Sequence, residues 1–234
     1  MEIIAGIEII GKALWLKKSK TLIVSDIHIG YEEALNKQGI LIPRTLFKET
    51  EQELKALIEQ LKPEIIVING DLKHEFGVIS ESEWKETLKI LDLMLKASRV
   101  VLVRGNHDSI LGPIAKKRGL KIVDKYESEG ICIVHGDSII ENSAKTLVIG
   151  HEHPAIVLEE EIKSEKYKCF LLGSFKKQRL IVMPSFLPMI EGSDVTQEKL
   201  LSPYLKQSLK NFEVFVVGDK AYKFGKLKGI KSTN

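Results

Sequence analysis

The sequence predicts an α/β protein, and three observations predict it. Short β-branched apolar runs end in glycine and polar residues, amphipathic helices separate the first three of these runs, and β-rich segments flank that alternating middle. Strand–helix–strand–helix order argues for a sheet with parallel neighbours joined by right-handed crossovers. Such sheets bind ligands beyond the carboxyl ends of their strands.

Taken in order, T-L-I-V-S-D-I-H (21–28) leads to Asp26 and His28. The stretch Arg44–Leu61 then reads as a helix with Phe47, Leu54, Leu57, Ile58 and Leu61 on one face, stopped by Pro63. E-I-I-V-I-N-G-D (64–71) leads to Asp71, with His74 three residues on. Ser80 followed by Glu83 resembles a capping box for a helix carrying Trp84, Leu88, Leu91 and Leu95. R-V-V-L-V-R-G-N-H-D (99–108) leads to Asn106, His107 and Asp108. I-C-I-V-H-G-D (131–137) leads to His135, and T-L-V-I-G-H-E-H (146–153) to His151 and His153. These near-continuous apolar runs suit strands buried on both faces. Residues 165–184 read as two strands joined by a short basic turn, and 211–224 as a further hairpin.

The bulk properties set the frame. At 234 residues the chain can bury a sizeable core and is expected to form one domain over 1–234, with its motifs in 20–190 and a lysine-rich, β-rich segment at 199–234. With 44% apolar and 29% charged residues it reads as globular, not disordered. A net charge of +3 permits a polyanionic partner without demanding one. Cys132 and Cys169 sit inside apolar runs and are expected to be buried thiols, not a disulfide framework. No basic region precedes the apolar start and no apolar stretch approaches the roughly 20 residues of a membrane span, so a cytoplasmic protein is expected.

Five of the six histidines, two aspartates and an asparagine thus meet at one edge of a sheet. A single histidine in a strand-end loop is ordinarily just solvated; five in series, each past a strand, are hard to obtain by chance. Carboxylate oxygen, amide oxygen and imidazole nitrogen, without thiolate, suit hard or borderline divalent cations. The donors exceed what one tetrahedral site uses, which points to two ions able to share a carboxylate and clamp a phosphoryl group. Two dications against two carboxylates leave a net positive site that favours a phosphate ester.

The ordered set D-I-H, G-D, G-N-H-D, H-G-D and G-H-E-H resembles the calcineurin-like metallophosphoesterase superfamily over residues 24–153. The resemblance implies a four-layer α/β/β/α sandwich of two mixed sheets flanked by helices, and hydrolysis by a metal-activated hydroxide. It implies one ion held by Asp26, His28 and His153, a second held by Asn106, His135 and His151, and Asp71 between them. His107 would contact the phosphate and protonate the leaving oxygen, with Asp108 orienting it. Manganese is the ion implied, with iron and zinc as rivals.

G-D-L-K-H-E-F, with V-R-G-N-H-D, is similar to a smaller group, archaeal SbcD-related phosphoesterases and bacterial ligase-associated DNA-damage-response endonucleases, and Pro184–Phe186 fits it more loosely. In that nuclease branch the extra histidine, His74 here, lies near the phosphate and helps to orient it; otherwise His74 pairs with Glu75 or faces water. A phosphodiesterase acting on DNA or RNA, with a role in DNA repair, is therefore the expectation. An enzyme of small nucleotides or other small phosphate esters, and a non-catalytic scaffold, are the alternatives. Basic clusters at Lys116–Arg118, Lys176–Arg179 and beyond Lys199 could meet phosphates or simply face water. A homodimer is left open, and no coiled-coil extension for an ATPase partner is seen.

Overall fold

The computed structural model describes residues 1–230 apart from 43–44, 78, 161–162, 190–191 and 198. Its first sheet holds β1 (Glu2–Ile4), β2 (Ile7–Ile10), β3 (Ala13–Leu16), β4 (Thr21–Val24), β5 (Ile65–Asn69), β6 (Arg99–Val103) and β7 (Ile122–Val123), side by side in chain order. Pairing is antiparallel from β1 to β4 and parallel from β4 to β7. The second sheet holds β8 (Tyr126–Ser128), β9 (Ile131–Ile133), β10 (Thr146–Ile149), β11 (Pro154–Glu160), β12 (Lys163–Phe175), β13 (Gln178–Val182), β14 (Ser193–Asp194), β15 (Glu213–Val217) and β16 (Ala221–Lys226). In it β9, β10 and β13 run parallel, while the hairpins formed by β11–β12, β12–β13 and β15–β16 are antiparallel. Both sheets are mixed, as expected.

The side-chain period of two explains how the layers stack. On β5, Ile66 and Ile68 face outward to the helices α2 (Leu46–Leu61) and α3 (Glu81–Leu95), where Leu54, Leu57, Leu91 and Met94 meet them. Val67 between them faces inward, packing with Ile23 and Val101 against Ile133, Val148, Phe170 and Ile181 of the other sheet. Two shorter helices, α1 (Tyr31–Lys37) and α4 (Gly112–Lys117), follow β4 and β6.

The outermost layer differs from the resemblance. Among the described residues, all α-helices belong to the chain between β4 and β7; the outer face of the second sheet is covered by irregular chain. Tyr204, Leu205, Leu209 and Phe212 cover Leu147, Leu171 and Leu180 there, with one 3-10 turn at Pro203–Leu205.

Helix α2 begins at Leu46, and Arg44, where the sequence places its start, lies outside the described residues. Ser80 caps α3 by accepting from Glu83 N at 3.1 Å. The reciprocal half of the expected capping box is missing, because the Glu83 carboxylate turns to His74 N and Glu75 N at 2.9 and 3.0 Å. Cys132 and Cys169 are buried and unpaired, and burial pushes both thiols above their ordinary range.

Candidate metal centre

The backbone itself marks the site. Nine non-glycine residues adopt positive φ among the described residues, and five of them are Asp26, His28, Asp71, His151 and His153. Left-handed backbone costs an L-residue roughly 1–2 kcal/mol, so buried examples survive only where the surroundings enforce them. Enforcement comes from loops that stay zipped beyond the strands. Asp26 N donates to Gly70 O at 3.2 Å, His28 N to Asp71 O at 2.9 Å, and His74 N to Ile29 O at 2.8 Å. Two motif glycines complete the packing. A Cβ on Gly105 would stand 2.2 Å from Asp71 Oδ1, and one on Gly150 would stand 1.9 Å from Ser25 Oγ and 2.4 Å from Asp26 Oδ2.

Asp26 and Asp71 are 0% and 2% exposed, and among the described residues every ion pair they make within 4.0 Å is to a histidine ring. His153 Nε2 lies 3.3 Å from Asp26 Oδ1 and 3.4 Å from His28 Nε2. His135 Nε2 lies 3.3 Å from Asp71 Oδ2 and 3.0 Å from Asn106 Oδ1. His151 N donates to the Asp26 carboxylate at 3.1 Å, while its ring meets that of His135 edge-on at 5.0 Å. Two groups of three donors, Asp26/His28/His153 and Asp71/His135/His151, each lie within 4.8 Å of one another.

This donor set fits divalent cations. Burying paired carboxylates is unfavourable without positive charge beside them. Within the chain itself the positive charge comes from histidine: burial opposes it, but pairing with Asp71 pushes His135 up to about 9. Burial also works to raise Asp26, yet His153 and then His135 hold its carboxyl well below the usual range. Burial, then His153, pushes His28 down to about 3, leaving a neutral ring. His135 Nδ1 faces Asn69 O at 3.2 Å, so Nδ1 keeps its proton and Nε2 is the nitrogen that would give its proton up to a bound cation.

His107 lies on the open side of the cluster, with Nε2 4.0 Å from Asp71 Oδ2. Its Nδ1 meets the carbonyl of His74, and its backbone N donates to Asp71 Oδ1 at 2.9 Å. The expectation that Asp108 orients His107 is corrected here. Asp108 is buried and accepts from Gly105 N at 3.0 Å and Leu72 N at 3.2 Å, fastening the loops after β5 and β6 together. Held near the turn backbone, it is out of use as a ring partner. Burial, reinforced by Asp71, pushes this carboxyl up to about 7.

The His74 ring packs among three others: edge-on to Tyr31 at 4.9 Å and to His28 at 5.5 Å, and stacked with His107 at 5.4 Å. Glu75, the alternative partner for His74, lies 3.7 Å from Lys37 instead. His28, His74 and His107 form a further group of close imidazole nitrogens.

Several supporting residues were not singled out from the sequence. Ser25 Oγ lies 2.6 Å from Asp26 Oδ2 and 2.9 Å from Asn69 O, two acceptors for its one hydroxyl proton. Ser185, in the P-S-F run, donates to the Asp26 carbonyl at 2.8 Å. Glu152, between the two histidines of G-H-E-H, accepts from Leu201 N and Ser202 N at 2.8 Å each and anchors that turn to the outer layer. The only available signal was polarity inside an otherwise conspicuous motif. One basic cluster, the turn at Lys176 and Lys177, is remote. Strand β13 runs parallel to β10, so Lys176 and Lys177, ahead of it, lie at the end of the sheet opposite His151. Arg118 is held by Asp92, with contacts to both carboxylate oxygens.

Fold and site together define a metallophosphoesterase, a hydrolase of phosphate esters with a His/Asp metal-binding cluster. The chain belongs to the calcineurin-like phosphoesterase family, whose model matches residues 19–218. It shares the fold of the nuclease MPE of Pseudomonas putida, with a TM-score of 0.68, 20% identity, and coverage of 91% of this chain and 92% of that one. More distant are the phosphoesterase YfcE of E. coli (15% identity, 88% and 97% covered, TM-score 0.47) and a protein of unknown function, AQ665, from Aquifex aeolicus (20%, 57% and 78%, 0.39). No curated protein matches the chain. No helix of the described residues is long and apolar enough to cross a membrane.

Proposed function

We propose that this chain is a dinuclear metal-dependent phosphodiesterase, with nucleic acid as its substrate class. The observation that carries the reading is the pair of stacked imidazoles, His74 and His107, at the open side of a buried acid–histidine cluster. Asp26, His28 and His153 would hold one ion, and Asn106, His135 and His151 the other, with Asp71 shared. Bound there, the ions supply charge to phosphate oxygens and lower the pKa of water to about 7; manganese is the ion proposed.

The remaining work falls to the chain. His107, fixed through Nδ1 by the His74 carbonyl, presents Nε2 to the leaving oxygen and gives it a proton as the P–O bond breaks. The His74 ring supports a phosphoryl oxygen beside it, which suits a phosphate esterified on two oxygens. Asp108 keeps the loop of His107 at a fixed distance from Asp71. The likeness in fold to a nuclease supports nucleic acid as the substrate.

A second reading, a small phosphate ester, is favoured by one observation. The basic turn at Lys176–Lys177 lies at the far end of the sheet, whereas Glu32, Glu33 and Glu75 lie on the loops and helix start around His28 and His74. A scaffold without activity is disfavoured by the complete donor set. The test is an assay with manganese on labelled single- and double-stranded DNA, a chromogenic phosphodiester and its monoester. Cleavage of DNA and diester is expected. Preference for the monoester overturns the phosphodiesterase reading, and inertness throughout overturns catalysis.

A further inference from the structure

Residues 74–76, which carry the His74 ring, belong to no strand or helix. Side chains take the place of a sheet partner there. On the carbonyl side, His107 Nδ1 meets His74 O, the Lys73 ammonium donates to Glu75 O, and Ser109 Oγ donates to Phe76 O at 2.7 Å. On the N–H side one carboxylate serves: Glu83 Oε1 accepts from Glu75 N at 3.0 Å and from His74 N at 2.9 Å, the latter shared with Ile29 O.

Glu83 is committed to this segment. It stands in the first turn of α3, 0% exposed, against Gly30, where a Cβ would come 2.9 Å from its Cγ and Cδ. Its second oxygen, Oε2, is buried and makes no hydrogen bond, so both bonds of the carboxylate go to residues 74 and 75. Burial pushes the carboxyl up, opposed by the two N–H bonds and then by the charge of Lys73. N–H donors favour the ionised form of a carboxyl that accepts from them.

The Glu75 N–H and the His74 carbonyl belong to one peptide group. A carboxylate accepting from that N–H draws amide electrons toward the oxygen, and hydrogen bonds in series strengthen one another. The oxygen facing His107 Nδ1 is therefore a better acceptor than an ordinary carbonyl. A ring so held keeps its proton on Nδ1, which leaves Nε2 as the nitrogen that hands a proton on. The imidazolium gains most from the arrangement, and after the transfer the neutral ring keeps hydrogen on Nδ1.

We infer that Glu83 is a positioning residue for the leaving-group proton: through the peptide group between residues 74 and 75, its carboxylate orients and polarises the His107 ring. The inference rests on the phosphodiesterase reading, in which His107 protonates the leaving oxygen.

The test compares the wild type with Glu83→Gln, which keeps an oxygen for both N–H donors but loses the charge. Glu83→Asp, which keeps the charge but falls one methylene short, carries the comparison if the first variant does not fold. Thermal melts check folding, and metal analysis checks manganese content. The substrates are methyl 4-nitrophenyl phosphate, whose leaving group departs without a proton, and methyl phenyl phosphate, whose leaving group needs one. Each variant should lose roughly tenfold in kcat on the phenyl ester and less than about threefold on the nitrophenyl ester. KM and manganese content should hold. In a His107→Ala background, Glu83→Gln should cost nothing further, because the two residues act as a unit. An equal loss on both esters, no loss on the phenyl ester, or a loss undiminished in His107→Ala overturns the inference.

A second readout needs no turnover. Long-range proton–nitrogen NMR of the zinc-loaded protein, with nitrogen-labelled histidine, reads each ring nitrogen directly. His107 should hold a proton on Nδ1 in the wild type, and its Nδ1 signal should move in Glu83→Gln. An unmoved signal, or a proton on Nε2 alone, overturns the relay. If the signal moves while the wild type hydrolyses neither ester, the relay stands and the phosphodiesterase reading falls.

Discussion

The two ends of the strands use the same uncommon backbone conformation for opposite purposes. Just ahead of β4, β5, β9 and β13, the residues with positive φ are Lys20, Lys62, Glu129 and Lys176, all exposed. Just past the carboxyl ends of β4, β5 and β10, they are Asp26, His28, Asp71, His151 and His153, buried or half-buried. At the first end the conformation only turns the chain, and almost any polar residue serves. At the other it aims a donor atom inward, and the residue's identity matters more than its strain. Strain at the site end is thus retained because the chemistry requires it, while strain at the opposite end is incidental and removable.

The largest effect should come from the carboxylate at the centre of the strained end. Asp71→Asn removes a charge that three histidine rings face. We expect hydrolysis to fall by at least about 10³. Manganese should raise the melting temperature of the wild type, because binding to the folded state adds stability, and this increment should disappear in the variant. Chelator-treated and manganese-loaded melts of both proteins check it; a full increment in Asp71→Asn would remove Asp71 from the metal centre.

Gly105→Ala tests the packing of that end without replacing a donor residue. Its new Cβ would fall 2.2 Å from Asp71 Oδ1, so a loop must move. A loss of about 1–3 kcal/mol in stability is expected from overpacking, with a fall in activity larger than the fall in folded fraction. Denaturant titration and kinetics on the same samples separate the two, and an unchanged turnover would show that the site tolerates the shift.

Lys168 supplies a pH test at the same end. Its ammonium donates to Ser185 O at 2.8 Å and to Leu187 O, holding the loop that in turn bonds the Asp26 carbonyl. Burial, then the charge of Lys12, pushes it down from 10.5 to about 7. Between those values the unfolded chain carries a proton that the folded chain lacks, so stability rises with pH across that window. Below about pH 7 both states carry the proton, and the full cost of the buried charge remains. The contribution is at most about 1.4 kcal/mol per pH unit. Lys168→Met should flatten the slope between pH 7 and pH 10 relative to wild type. Parallel slopes for the two proteins in urea titrations would place the lysine charge in water.

The smallest effect belongs to the opposite end. Lys62 ends α2 in a left-handed cap, its N–H bonded to Ile58 O. Glycine is the favoured residue for that geometry. Lys62→Gly should stabilise by up to about 1 kcal/mol with turnover unchanged. Destabilisation, read from the melting temperature, would mean that the strain at this end is not incidental after all.

The strand ends were legible because each motif is local. The runs ending at Asp26, Asp71, Asn106, His135 and His151 became β4, β5, β6, β9 and β10, and the two C-terminal hairpins formed as β12–β13 and β15–β16. The N-terminal β-rich flank was expected, but its individual strands, three or four residues each, were too short to resolve by periodicity. Asp108 was misassigned because its neighbour in sequence, His107, is not its partner in space; its oxygens reach Gly105 and, 36 residues away, Leu72. Glu83 looked like half of a capping box and instead serves the His74 loop.

The sequence by itself determined the alternation of strands and helices and which imidazoles and carboxylates stand at strand ends, since hydrophobic period and turn residues act over a few positions. Tertiary structure alone decided which ring faces which acid, and that the outer layer of the second sheet is irregular. Those outcomes depend on where distant segments come to rest against one another, and no local pattern encodes that. Packing does: Gly105 exists for Asp71, and Gly150 for Ser25 and Asp26, only once the loops are folded together.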